Sequence, residues 1–384
     1  MEALELLEVI QQGESSSVQF KERLPHVDSL AQEMVAFSNT EGGKIIIGVN
    51  DKTGDLNGLS FQELQAVNQQ LVNVASQSVF PPVIVKTETV RVNEHNLVVV
   101  EIKEGISKPY KDRNGAIFMK NGSDKRRVTS NDEIARLLQS SKIMFADELR
   151  VLGSTVADIN TDLFNKFIYT KYGRSLEDMG IDLPKSLENL NLLSGGQLTL
   201  AGLLLFSDRR QQYRPLFTIQ CVSVDVDDIT GNTFSDSEAP IEGNMLTVFQ
   251  KAIGFVDRNM RKQQAGSSFN SPAVWEIPYE VFEELLVNAL IHRDYFIQST
   301  IKIFVFKNRV EIHNPGKLPN SLTVENIRNG ISIARNPVLH SVAQFVLPYK
   351  GLGTGVSRAI ALYPEIEFIN DTKAEQFRVI IKRP

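Results

Sequence analysis

The sequence predicts a mixed α/β chain of the α+β kind, divided into more than one domain. Three observations carry this. The chain has 384 residues, more than the roughly 100–150 that one core usually organises. Hydrophobic residues make up 42% and charged residues 23%, the balance of a globular chain. Helix-like i, i+4, i+7 spacings alternate with short apolar runs bounded by turn residues. The expected division is 1–142, 143–235 and 236–384.

The first segment opens with a short amphipathic helix over 2–12, stopped by Gly13. Asp28 or Ser29 is suited to cap a second helix, in which Leu30, Met34 and Phe37 recur on one face. The turn Asn39-Thr-Glu-Gly-Gly43 leads into the buried strand Lys44–Val49. Strands follow at 96–102 and 116–120, and Ser130 with Glu133 spells a capping box for a helix over 131–140. The middle segment carries helix signals at 162–169, 186–190 and 199–206, then a strand at 217–224 that permits a winged-helix-like reading. Cys221, the only cysteine, sits in that strand and reads as a small core residue. One cysteine excludes a disulfide framework and a multi-cysteine metal site. In the last segment, helices are expected at 243–260 and 278–292, and strands at 301–306 and 309–312 joined by Lys307-Asn308. A glycine cluster at 351–355 opens a helix running through Leu362, and 375–381 reads as a strand.

No run approaches the ~18 consecutive apolar residues of a membrane span, and the acidic start Met1-Glu-Ala-Leu-Glu5 is unlike a signal peptide. A cytoplasmic protein without membrane contact is the expectation, with a homo-oligomer left open. Net charge is −5, yet Glu101–Arg127 holds eight basic residues against four acidic ones. Such a local excess suits a polyanion.

The chemistry concentrates near the end of the chain. Glu284 and Asn288 stand four residues apart, hence on one helix face, and His292 extends the stripe. A solvated face is the plain alternative. An Asn amide oxygen is a hard, neutral ligand fit for Mg²⁺, and a carboxylate one turn earlier can orient or deprotonate water. Asn314-Pro-Gly316 ends a strand in a turn, and Lys350-Gly-Leu-Gly-Thr-Gly355 places glycines where backbone N–H groups can approach phosphate. A helix end contributes only about 0.3–1 kcal/mol, against the ~4 kcal/mol of a millimolar complex. Lys350, a cation and a base pocket must therefore share the binding.

These residues resemble the GHKL ATPase superfamily, which includes the ATP domains of gyrase and histidine kinases. Glu284 and Asn288 match its N-box, Asn314-Pro-Gly316 its first glycine box, and Gly351, Gly353, Thr354 and Gly355 its second. The resemblance implies a Bergerat-type α/β sandwich that binds ATP. It also implies that Asn288 holds Mg²⁺, that Glu284 activates water, and that 317–350 form a mobile lid. The family usually has Asp where Asn314 stands, and Leu318 occupies its next glycine position. Binding without turnover is therefore an alternative. More narrowly, Glu284–Tyr295 with Arg335-Asn-Pro337 looks like bacterial proteins labelled RecG-related or transcriptional regulators. There His292, Arg293 and Asp294 belong to the pattern or serve as helix-end structure. Such relatives often add a helix-turn-helix module, which a chain ending at Pro384 is expected to lack. A helicase needs a P-loop, and Gly42-Gly-Lys44 lacks its upstream glycine and following Ser/Thr.

Gly13–Lys21 and Val35–Val49, with Asn39, Gly42, Gly43 and Gly48, resemble the Schlafen AlbA-type domain over about residues 8–140. That implies a nucleic-acid-binding module, for DNA or RNA. Some relatives are metal-dependent nucleases with paired acids. Here Glu14 faces Gln19 instead of a second carboxylate, and two-metal hydrolysis needs anionic ligands. Lys120, Lys125, Arg126 and Arg127 flank Asn121-Gly122 as candidate phosphate contacts, with Tyr110 and Phe118 as stacking candidates or core residues. The combined expectation is a regulatory protein, similar to transcriptional regulators, in which ATP occupancy modulates nucleic-acid binding or assembly. The alternatives are a slow Mg²⁺-dependent ATPase, a Schlafen-type nuclease, and a partner-binding scaffold without either activity.

Overall fold

The computed structural model describes residues 2–141, 143–228, 234–264, 273–319, 322–349, 351 and 353–384. Contacts divide the chain into two compact units, Met1–Met144 and Phe145–Pro384. Both mix helices with sheets, as the sequence predicts.

Unit 1 runs α1 (Ala3–Gln12), β1 (Val18–Lys21), α2 (Val27–Asn39), β2 (Gly42–Ile47), α3 (Phe61–Gln77), β3 (Val79–Phe80), β4 (Val85–Val92), β5 (His95–Lys103), β6 (Lys111–Asp112), β7 (Phe118–Asn121), β8 (Asp124–Arg127) and α4 (Asn131–Ser140). Its main sheet has the order β1-β2-β5-β4, with β1 parallel to β2 and the other pairs antiparallel. Ile45 and Ile47 meet Leu30, Met34 and Phe37 of α2 in one apolar cluster. Ile46 joins Leu6 and Ile10 of α1 in another. Both faces of β2 are therefore covered, which is why its sequence is an unbroken apolar run and not an alternating one.

Two capping expectations need correction. The α2 N-cap is His26, whose Nδ1 accepts from the Asp28 backbone N–H at 3.4 Å, so the helix starts before Asp28 and Ser29. Ser130 makes no side-chain cap bond to α4, and the Glu133 carboxylate that would complete a capping box is held by Arg126 on β8.

Unit 2 begins with α5 (Thr161–Tyr172), α6 (Leu176–Met179), α7 (Leu183–Asn189), the small β9 (Leu193–Ser194) and β10 (Gln197–Leu198), α8 (Leu200–Phe206), β11 (Ile219–Ser223) and β12 (Asp236–Ile241). It continues with α9 (Met245–Asn259), β13 (Lys262–Gln264), β14 (Ala273–Trp275), α10 (Tyr279–His292), β15 (Ile301–Val305), β16 (Arg309–Pro315), α11 (Val324–Arg328), α12 (Pro337–Ala343), α13 (Gly355–Leu362), β17 (Ile366–Asp371) and β18 (Gln376–Lys382). Six strands form one sheet in the order β12-β11-β15-β16-β18-β17. Only β11 and β15 pair in parallel. Through β11 the middle segment contributes a strand to the C-terminal sheet, and residues from Phe164 to Ile381 share one core. Cys221 is fully buried in β11, and burial pushes its thiol up to about 12. It is the inert core residue expected.

Candidate functional site

In unit 2, α10 packs against β16 and α13, and the three elements enclose a pocket. Period-2 alternation puts Ile312 and Asn314 of β16 on one face. Antiparallel register sets Val379 beside Ile312 and Phe377 beside Asn314, then Phe368 of β17 beside Val379. These residues line one side of the pocket, with the Phe368 and Phe377 rings stacked at 6.1 Å. Glu284, Asn288 and His292 of α10 line another, and Gly351, Gly353 and Gly355 a third. A cavity of about 110 Å³ lies between them.

Most of the residues singled out by sequence thus come together. The Asn288 Nδ2 donates to the Glu284 backbone carbonyl at 2.8 Å, which turns the amide about its own helix. Glu284 accepts from Arg358 Nη2 at 2.7 Å. Arg358, one turn into α13, escaped sequence reading although it lies three residues after Gly355. A Cβ at Gly355 would run into the Glu284 carboxylate, so a larger residue there would have to displace that side chain. Gly316, with φ of +106°, would place a Cβ 2.4 Å from Asp294 Cβ. Thr354 is exposed at the α13 N-cap and does not line the pocket. Lys350 lies outside the described residues.

Asn314 is 7% exposed, and its Oδ1 finds no hydrogen-bond partner among the described residues. A buried polar atom without a partner costs about 1–3 kcal/mol, so such an atom at a pocket wall points to a ligand donor. His292 is neutral: burial, then the nearby His340 and Arg335, pulls its imidazole down to about 4. Tyr349, also lining the pocket, is pushed up to about 12 by burial and by Glu284.

The expected lid over 317–350 is anchored, a correction to a single mobile segment. Val338, Leu339, Val342 and Ala343 of α12 are buried. Asn336 Nδ2 donates to the carbonyls of Ile291 and Arg293 at 2.8 and 2.9 Å, and Asp147 accepts from the Leu339 N–H at 2.9 Å. Arg335 donates to the Lys317 carbonyl at 2.6 Å. Arg293 is buried with its guanidinium 4.4 Å from the Phe217 ring centre, and Asp294 caps Phe296 N at 3.0 Å. Both serve as helix-end structure.

Unit 1 places its basic candidates differently. Lys120 is 9% exposed and donates to Gln19 Oε1 at 2.8 Å, with Glu33 3.5 Å away. Burial pulls its ammonium below the ordinary value, and Glu33 opposes that. Lys125 pairs with Glu33 at 2.9 Å, and Arg126 with Glu133. Arg127 is exposed. Lys120 is therefore an internal counter-ion and no phosphate contact. Tyr110 is 5% exposed and takes part in the core, and Phe118 packs partly buried against the same cluster. Glu14 accepts from Gln19 Nε2 at 2.5 Å and from Phe20 N at 2.7 Å. No group of three or more His, Cys, Asp or Glu placed for a metal occurs among the described residues.

The geometry thus defines a two-unit chain: an α+β unit with an internally neutralised polar centre, and a unit whose helix stripe and glycine turn face a sheet across a pocket. Comparison with known proteins makes this particular. Residues 14–129 match the family described as "Schlafen, AlbA_2". Residues 298–381 match the family described as "Putative ATP-dependent DNA helicase recG C-terminal". The chain is 23% identical over 168 residues to an uncharacterized ATP-binding protein of Ureaplasma parvum, covering 41% of this chain and 47% of that relative's length. The crystal structure of the DIP2311 protein from Corynebacterium diphtheriae aligns over 96% of this chain and 75% of its own, at 20% identity and a TM-score of 0.49. The N-terminal domain of a RecG-related protein from Nitrosomonas europaea aligns over 34% of this chain and 96% of its own, at 22% identity and a TM-score of 0.25. No helix among the described residues is long and apolar enough to cross a membrane.

Proposed function

We propose that unit 2 binds ATP and that occupancy of this pocket regulates nucleic-acid binding by unit 1 or assembly of the chain. The observation that carries the reading is the buried, unpartnered Asn314 Oδ1 at the wall of a pocket that also holds Asn288 and the glycine turn. The apolar row Ile312, Val379, Phe368 and Phe377 suits a purine ring. The Gly351–Gly355 turn, Lys317 and Arg358 suit phosphate. Asn288 offers the single neutral oxygen that Mg²⁺ accepts when phosphates and water supply its other ligands. When bound, Mg²⁺ would neutralise phosphate charge.

Glu284 is the residue for orienting or deprotonating water. Its ion pair with Arg358 commits that carboxylate and favours binding over turnover. Unit 1 would meet the nucleic-acid backbone through Arg127, which is exposed on the basic hairpin. Purified protein titrated with ATP should bind more tightly with Mg²⁺ than without it. Phosphate release should be the same for the native chain and Glu284→Ala. Absence of ATP binding by folded protein overturns the reading, and a release rate that falls in the variant replaces the switch with an ATPase.

A further inference from the structure

We infer that this pocket reads purine nucleotides as a class and accepts guanine as well as adenine. The inference rests on the nucleotide reading above and names its substrate class. Asn314 is the polar side chain in the row that faces the base, since Ile312, Val379, Phe368 and Phe377 carry no hydrogen-bonding groups. Its backbone is spent in the ladder with Phe377, so on this wall of the pocket the side-chain amide is the group left to read the ring edge.

An amide carries an acceptor and a donor on one planar group. Adenine presents an exocyclic amino donor beside a ring-nitrogen acceptor, whereas guanine presents a carbonyl acceptor beside a ring N–H donor. Turning the amide by 180° exchanges its two ends and matches either edge. What decides between one orientation and two is whether neighbours hold the amide. Asn39 in unit 1 shows the held case: its Oδ1 accepts from Tyr110 N at 2.7 Å, and its Nδ2 donates to the Tyr110 and Phe118 carbonyls at 2.9 and 3.0 Å. At Asn314 the Oδ1 has no such partner among the described residues. A carboxylate in its place would be acceptor-only, favouring the adenine edge and repelling the guanine carbonyl.

The test is calorimetric titration of the full chain with Mg²⁺-ATP, Mg²⁺-GTP and Mg²⁺-ITP, on the native protein and on Asn314→Asp. ITP shares the six-position carbonyl of GTP without its two-amino group. The native chain is expected to bind all three within about 30-fold of one another. The variant is expected to widen the GTP-to-ATP ratio by about 10-fold or more, as buried polar groups left unpaired do. ATP binding with GTP and ITP weaker by more than about 30-fold overturns this inference and leaves the ATP reading standing. Folded protein that binds none of them overturns the reading itself. The native-chain ratio decides the matter even where Asn314→Asp fails to fold.

Discussion

Each unit buries an asparagine against its sheet, and the two are treated in opposite ways. Asn39 of unit 1 is fully buried and spends both ends of its amide on Tyr110 and Phe118. It ties the end of α2 to the segments around β6 and β7. Asn314 of unit 2 is almost as buried, and its oxygen meets no described partner. Burial alone does not distinguish a staple from a recognition group. The hydrogen bonds and the surroundings together do: Asn314 lines a pocket with its amide oxygen unbonded, whereas Asn336, whose Oδ1 is also without a described partner, spends its Nδ2 on two carbonyls.

The largest expected effect tests that contrast. Asn39→Ala removes three hydrogen bonds and strands their buried backbone partners, so urea unfolding of the full chain should show a loss of about 3–5 kcal/mol. Asn314→Ala should change stability by no more than about 1 kcal/mol while weakening nucleotide binding. Equal losses in the two variants would break the comparison.

The same contrast extends to charge. In unit 1 the buried Lys120 keeps carboxylate company in Glu33. In unit 2 burial dominates at His292, where His340 and Arg335 add to it, and at Asp147, where it outweighs the backbone N–H groups of Leu339 and Val338 that favour the charged form. Each therefore moves toward its neutral form. His292, at about 4 against 6.5 unfolded, refuses a proton that the unfolded chain accepts, so its contribution falls as pH drops from 6.5 to 4. Asp147, at about 7 against 3.8 unfolded, keeps a proton that the unfolded chain releases, so its contribution falls as pH rises through that window. The slopes oppose one another. Relative to the native chain, His292→Gln should gain stability toward pH 4 and Asp147→Asn toward pH 7, each by about 3–4 kcal/mol across the window. Denaturation midpoints across that range check the signs, and parallel profiles would refute the assignment.

The smallest effect concerns the basic hairpin. Arg127→Ala should lower the slope of log affinity against log salt by about 0.9 if that side chain meets one phosphate, and Lys120→Ala should leave the slope unchanged. A reduced slope for Lys120→Ala would place it at the surface and undo the picture of a neutralised centre.

Legibility in the sequence follows the range of the interactions. The α10 stripe, the Lys307-Asn308 hairpin and the glycine turn are local patterns, and all stand where the spacing puts them. Ser60-Phe-Gln-Glu63 and Ser130-Asn-Asp-Glu133 share the capping-box pattern. Only the first forms one, at the start of α3, a helix that sequence reading passed over although Val67, Leu71 and Val74 form its buried stripe. The second loses its glutamate to Arg126 across the hairpin, a competition that no local pattern reports. Charge misleads similarly at Lys120, since a lysine beside a Gly turn reads as solvated until Glu33 and Gln19 are seen around it. The pocket floor was equally hidden: Phe368, Phe377 and Val379 are ordinary strand residues until register brings them beside Asn314.

The anchoring of α12 has a thermodynamic consequence for whatever closes over the pocket. The stretch between β16 and α13 is stapled near its midpoint by Asn336 and Asp147, so it behaves as two short tethers in place of one long strap. The entropy forfeited on fixing a loop grows only with the logarithm of its length, and the staple has already fixed α12 before any ligand arrives. The α12 portion of that stretch therefore adds no ordering cost when a guest binds.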